Sequence, residues 1–197
     1  MCYNGNWGRV FMELEDIKTP RDILEYMDRF QYGWLDINDE EHIQSGKGHK
    51  ELYRTSTVEE MIEHNLGTCL EQVILMSRIL TKLGFPNRKF IIRVYRGDEK
   101  FDYINSKILI HSFVLYYKDG KVFQIEHPDP TRRGIHGFDS EELAIKAMER
   151  YYQKFYGGYL RPAVEFFDIP KGLTFDELNA YINTLEEERD KKKELNQ

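Results

Sequence analysis

Cysteine is nearly absent: the 197 residues include two, Cys2 and Cys69. Two thiols in a chain of this length make no disulfide framework, and that points to a reducing compartment. Basic excess is missing as well. Lys and Arg total 28 against 34 Asp and Glu, a formal net charge of −6. Apart from "DKKK" near the C-terminus the cations are scattered, so the electrostatic footprint of a nucleic-acid binder is excluded. No basic amphipathic helix marks a membrane-surface protein, and no apolar run reaches transmembrane length. The opening "MCYNGNWGRVFMELED" lacks the basic start and apolar run of a signal peptide. The expectation is a cytoplasmic chain that binds neither nucleic acid nor membrane. His42, His49, His64, His111, His127 and His136 are well separated, and none pairs with cysteine at zinc spacing. A Gly-rich phosphate loop followed by Lys-Ser/Thr is also lacking. No metal and no cofactor are therefore expected. Cys2, with no companions, is read as incidental.

What is present is core-forming material: 41% hydrophobic residues, among them 13 Tyr and 12 Phe. The length suits a single domain, 1–197, with a core over about 56–138 and a helical extension over about 139–197 whose last ten or so residues fray. "TPRDILEYMDRFQYGWL" opens with a helix start: Thr19 caps, Pro20 fits the first position, and Ile23, Leu24, Met27 and Phe30 repeat at helical spacing. Residues 36–50, "DINDEEHIQSGKGHK", read as a polar surface loop. "STVEEMIEHNL" has a capping-box pattern, Ser56 or Thr57 before Glu59 and Glu60. In "HNLGTCLEQVILMSRILTKLGF" Thr68 caps a helix over 69–83, which Val73, Ile74, Met76, Ile79, Leu80 and Leu83 mark as buried on more than one side. Gly84 and Pro86 end it.

The period then changes. "RKFIIRVYR" (88–96), "KILIHSFVLYY" (107–117) and "KVFQIEH" (121–127) are strands, the last two joined by Asp119-Gly120, a strong hairpin signal. Residues 97–106 are a polar connection. "DSEELAIKAMERYYQKFYG" (139–157) and "TFDELNAYINTLEEERDKKKELNQ" are helices. The aromatic run 151–160 reads as core plus ordinary surface tyrosines. The fold class is α+β: helices, then an antiparallel sheet, with a central buried helix against it.

Cys69 stands at the start of that helix, where free backbone N–H groups and the helix dipole favour a thiolate. A lone cysteine on an apolar helix is as readily core filling. A nucleophilic thiol needs a histidine base, and the base needs an orienting acceptor. His111 lies mid-strand in an apolar run. A two-residue turn at Asp119-Gly120 pairs Lys118 with Lys121 and sets Phe113 opposite Glu126. His111 and Glu126 then share a face as diagonal neighbours, roughly 7 Å apart. His127 and Asp129 fall on the opposite face, barring a bulge, so the register selects Glu126 as the acid. Oxyanion stabilisation needs aimed donors. The Cys69 backbone N–H is the natural first; Gln31, Trp34 or Gln72 supplies the second, although Gln72 also reads as a packing residue. Arg132 and Arg133 either pin the 128–138 loop or bind a substrate carboxylate.

"GTCLEQVILMSRILTKLGFPNRKFIIRVY" followed by "HSFVLYYKDGKVFQIEHPD" resembles the core of the transglutaminase-like branch of the papain-like cysteine enzymes. There a Gly-x-Cys opens the central helix, a histidine follows on a strand, and an acid on the next strand completes the triad. The resemblance implies Cys69 as nucleophile, His111 as base and Glu126 as orienting acid, where the wider family carries aspartate. "YGWLD" (32–36) and "RRGIHGF" (132–138) extend the likeness to a bacterial subgroup of unassigned function. It implies thioester chemistry on a peptide, protein or small amide, resolved by water or by an amine. The alternative is an inactive binding or scaffold protein that kept the fold.

Overall fold

The computed structural model describes residues 12–44, 47–96 and 107–195. Cys2 and the 97–106 connection lie outside them. The architecture is mixed α+β, with six helices and two sheets among the described residues.

Three helices lead in. Thr19 caps α1 (Pro20–Met27) in a capping box with Asp22, and Ile23, Leu24 and Met27 are buried. The second, α2 (His49–Leu52), is a single turn. Thr57 caps α3 (Val58–His64) with Glu60. The central α4 (Cys69–Lys82) is capped by Thr68 and Glu71. Burial takes in polar positions on it as well: Glu71, Gln72 and Ser77 are all buried. Gly84, at φ +84°, ends the segment in the left-handed region that glycine tolerates.

Around these first elements lies a small sheet, β2-β1-β3. Its strands are β1 (Gln31–Leu35), β2 (Glu41–Ile43) and β3 (Leu66–Gly67). The polar 36–50 stretch is thus not wholly loop: β2 pairs with β1, and α2 follows. Its side chains gave no alternation because both β2 flanks face solvent or half-buried surroundings. Gly33 is required at the centre. A Cβ there would meet the His42 carbonyl oxygen at 2.6 Å, a backbone atom that cannot swing aside.

The large sheet is antiparallel, in the order β7-β6-β5-β4-β8. It comprises β4 (Asn87–Arg96), β5 (Lys107–Lys118), β6 (Lys121–Glu126), β7 (Gly134–Phe138) and β8 (Tyr159–Phe166). Lys118 pairs with Lys121 as the turn chemistry requires, and Asp119 and Gly120 both take positive φ. The edge strands β7 and β8 escape a reading by alternation. "GIHGF" carries two glycines, and "YLRPAVEF" carries Pro162. The register of β8 slips between Ile91 and Arg93 of β4, where Pro162 sits on the edge strand and no ladder donor is needed.

The sheet has two covered faces. Ile91, Val114, Tyr116, Ile125 and Val164 pack with α4 and with Leu178 and Ile182 of α6 (Phe175–Leu195). Phe90, Ile92, Phe113, Leu115 and Val122 pack with Ala144, Met148 and Tyr152 of α5 (Glu141–Tyr156). A buried charge cluster fastens α6. Arg93 donates to Glu186, the Asn179 carbonyl and Asn183, and Arg161 donates to the other Glu186 oxygen. The helix continues to Leu195, its charged end exposed. No helix among the described residues is long and apolar enough to cross a membrane.

Candidate active site

Cys69 is the first residue of α4. Thr68 directs the chain into the helix by accepting from the Leu70 amide at 3.2 Å. Buried Glu71 closes the cap, accepting from the Thr68 amide at 2.9 Å and from the Ser56 amide at 3.1 Å. The thiol therefore sits where the first-turn N–H groups concentrate positive potential. Gly67, two residues before it, keeps this entry tight: a Cβ would lie 2.8 Å from the Met61 side chain.

Cys69 is a free thiol, 4% exposed. The last pairing of β6 with β5 is Val114 with Ile125, so earlier β5 residues have that edge unpaired by β6. There the Ile110 carbonyl, next in the strand to His111, accepts from Cys69 Sγ at 3.8 Å.

His111 is 7% exposed and Glu126 is 1% exposed. Glu126 Oε2 lies 3.2 Å from His111 Nε2, and it also accepts from Gln124 Nε2 at 2.8 Å. Glu126 Oε1 accepts from the Asp129 amide at 3.1 Å. Both carboxylate oxygens are thus held, and the longer glutamate reaches the imidazole from its diagonal position. Burial on its own would push the His111 pKa down. The Glu126 charge and hydrogen bond, with Cys69 nearby, outweigh it and raise the pKa to about 10.

Beyond the acid the network continues. Gln124 Oε1 accepts from Arg132 at 2.9 Å, and the Arg132 guanidinium stacks 4.6 Å over the Tyr151 ring. Arg133 makes a two-oxygen ion pair with Asp28 and donates to the Leu24 carbonyl. The two arginines hold the turn between β6 and β7 in place, one against β6 and the other against the end of α1.

Alternation fails just past Glu126. Strand β6 ends there, and in the turn that follows Asp129 swings back to the His111 side, where Tyr152 donates to its Oδ2 at 3.3 Å. The rule governs pleated residues only. His127 turns the other way, to Gln72 Oε1 at 2.8 Å and Asp28 at 3.3 Å.

The remaining oxyanion candidates lie apart from one another. Gln72 donates to the Gly67 carbonyl at 3.0 Å, so its amide ties the strand before Cys69 to the end of β6. Trp34 is buried on β1, stacked on His42 and edge-on to Tyr53. Gln31 is exposed at the start of β1, and its backbone amide donates to the Asn65 carbonyl.

Two site residues were not singled out from sequence. Tyr53 is buried and is raised in pKa chiefly by burial, with further contributions from Glu71 and Cys69. Tyr152 places its hydroxyl 2.7 Å from His111 Nε2, its ring tilted 31° to the imidazole. Ala144, Met148 and Tyr152 recur every fourth residue on α5, and that stripe was the available signal.

Asp36, Glu40 and His42 hold possible ligand atoms within 4.8 Å of one another. Hydrogen bonds account for Asp36: its Oδ1 accepts from the Asn38 and Glu40 amides, and its Oδ2 lies 3.2 Å from His42 Nε2. It is the anchor of the turn between β1 and β2.

No family model and no curated protein matches the chain.

Proposed function

We propose that the protein is a cysteine-dependent acyl-transfer enzyme of the transglutaminase-like, papain-like kind. The observation that carries this reading is the juxtaposition at the start of a buried helix: Cys69 Sγ reaches the Ile110 carbonyl beside His111, and His111 Nε2 lies 3.2 Å from Glu126 Oε2. Cys69 attacks a carboxamide carbonyl, and His111 takes the thiol proton and delivers it to the leaving amine. Glu126 holds the imidazole and stabilises its charged form. The Cys69 backbone N–H, in the first turn of α4, serves as an oxyanion donor. A thioester results, and water or a second amine resolves it. The substrate class is a peptide, a protein or a small amide. A central helix presenting its N-terminal cysteine to an antiparallel sheet, with the histidine and acid on adjacent strands, supports the family reading.

The test uses p-nitrophenyl acetate as a generic acyl donor and a chain carrying Cys2→Ala. A burst of p-nitrophenol with one acetyl group on Cys69 is expected. Cys69→Ala abolishes the burst, and His111→Ala slows it about 100-fold or more. Acetylation spread over lysines, indifferent to both variants, would instead favour a binding module that kept the fold.

A further inference from the structure

We infer that Tyr152 and Asp129 are positioning residues for His111, forming a second arm beside Glu126 that selects its tautomer and steadies its charged form. The inference rests on the acyl-transfer reading for its purpose, but its geometry stands independently.

The Tyr152 hydroxyl has one proton to give. It donates to Asp129 Oδ2 at 3.3 Å, while its oxygen lies 2.7 Å from His111 Nε2. A hydroxyl that donates to the carboxylate must accept from the imidazole, so Nε2 carries the hydrogen. Glu126 Oε2, 3.2 Å from the same nitrogen, makes the same demand. With Nε2 protonated, Nδ1 is the basic nitrogen of the neutral ring, the one free to take a proton. Two carboxylates thus act on one imidazole, Glu126 directly and Asp129 through the tyrosine.

The surroundings favour this assignment. Tyr152 is 1% exposed, and its hydroxyl is held by α5 packing against the sheet. Burial raises the Tyr152 pKa, and Glu126, Asp129 and Cys69 add to the rise, so the hydroxyl keeps its proton. Asp129 is held below the ordinary carboxylate range despite partial burial, through hydrogen bonds from Thr131. It is a ready anionic acceptor. The groups facing the pair are Cys69 on α4, Glu126 on β6, and Asp129 and Arg132 in the turn.

Glu126 and Asp129, three residues apart, are thus joined to the same ring nitrogen, the second through one hydroxyl.

The experiment follows the ring nitrogens of His111 by NMR in chains labelled at histidine, in a Cys69→Ala background so that the imidazole titrates without the thiol. Tyr152→Phe keeps the ring in the core and removes the hydroxyl. It should lower the His111 midpoint by about one unit, tenfold in the protonation constant. Asp129→Asn should lower it as well, and should add less than half of that effect once Tyr152→Phe is present, because it acts through the hydroxyl. A midpoint unmoved by Tyr152→Phe, or full additivity, overturns the inference. If Tyr152→Phe fails to fold, Asp129→Asn in the turn decides alone: no downward shift overturns the arm. Failure of the parent reading is distinct. A chain that forms no acyl-enzyme while its His111 midpoint still falls in Tyr152→Phe retains the arm and loses the enzyme.

Discussion

Glu126 carries two oxygens and three partners: His111, Gln124 and the Asp129 amide. Its charge holds the His111 pKa above the ordinary 6.5, at about 10. A group raised on folding adds stability that is complete below its unfolded pKa and is lost as pH rises through the folded one. The stability gap between wild type and Glu126→Gln, measured by urea unfolding, should therefore be widest near pH 6 and narrow as pH rises towards about 10. A gap flat across that range contradicts the coupling. At this scale the sequence was partly legible. Asp119-Gly120 defines the hairpin register, and register alone ranks Glu126 first. Asp129 was misplaced because the alternation argument was carried past the end of the strand. The α5 stripe marks Tyr152 as inward-facing, but its partner lies 41 residues away on another element, and the stripe does not say which group its hydroxyl meets.

Among the elements, α4 is the most fully written in the sequence: its cap, its buried length and its glycine stop each follow from local chemistry. Strands β1, β3, β7 and β8 are not. They are short, rich in glycine or interrupted by proline, and they exist because a neighbour supplies the ladder. The attachment of α6 is likewise a tertiary matter. Glu186 is buried between Arg93 and Arg161, with side-chain exposures of 4%, 0% and 34%. Glu186→Ala would strand the Arg93 charge inside the protein, at a cost of about 3–5 kcal/mol. Chemical unfolding should register this loss, together with faster amide exchange in α6. A loss under about 1 kcal/mol would mean that solvent reaches the Arg93 site.

For the whole molecule, the sheet is the device that assembles the site. Its face against α5 carries His111, Gln124 and Glu126, α5 brings Tyr152 to it, and the open edge of β5 receives the N-terminus of α4. Periodicity and turn chemistry foretold an α+β chain, and composition a substantial core. They did not foretell that Cys69 would be only 4% exposed, so the account requires a reagent to reach a thiol that is nearly covered. The most direct test is the rate of iodoacetamide alkylation of Cys69 from about pH 4 to about pH 9, with Cys2 removed and His111→Ala as the comparison. A thiolate–imidazolium pair gives a plateau that extends below about pH 6 and disappears in His111→Ala. A single rise at about pH 8.5, indifferent to His111, is the free-thiol value. It would contradict the account and leave Cys69 a packed side chain in a domain that binds without reacting.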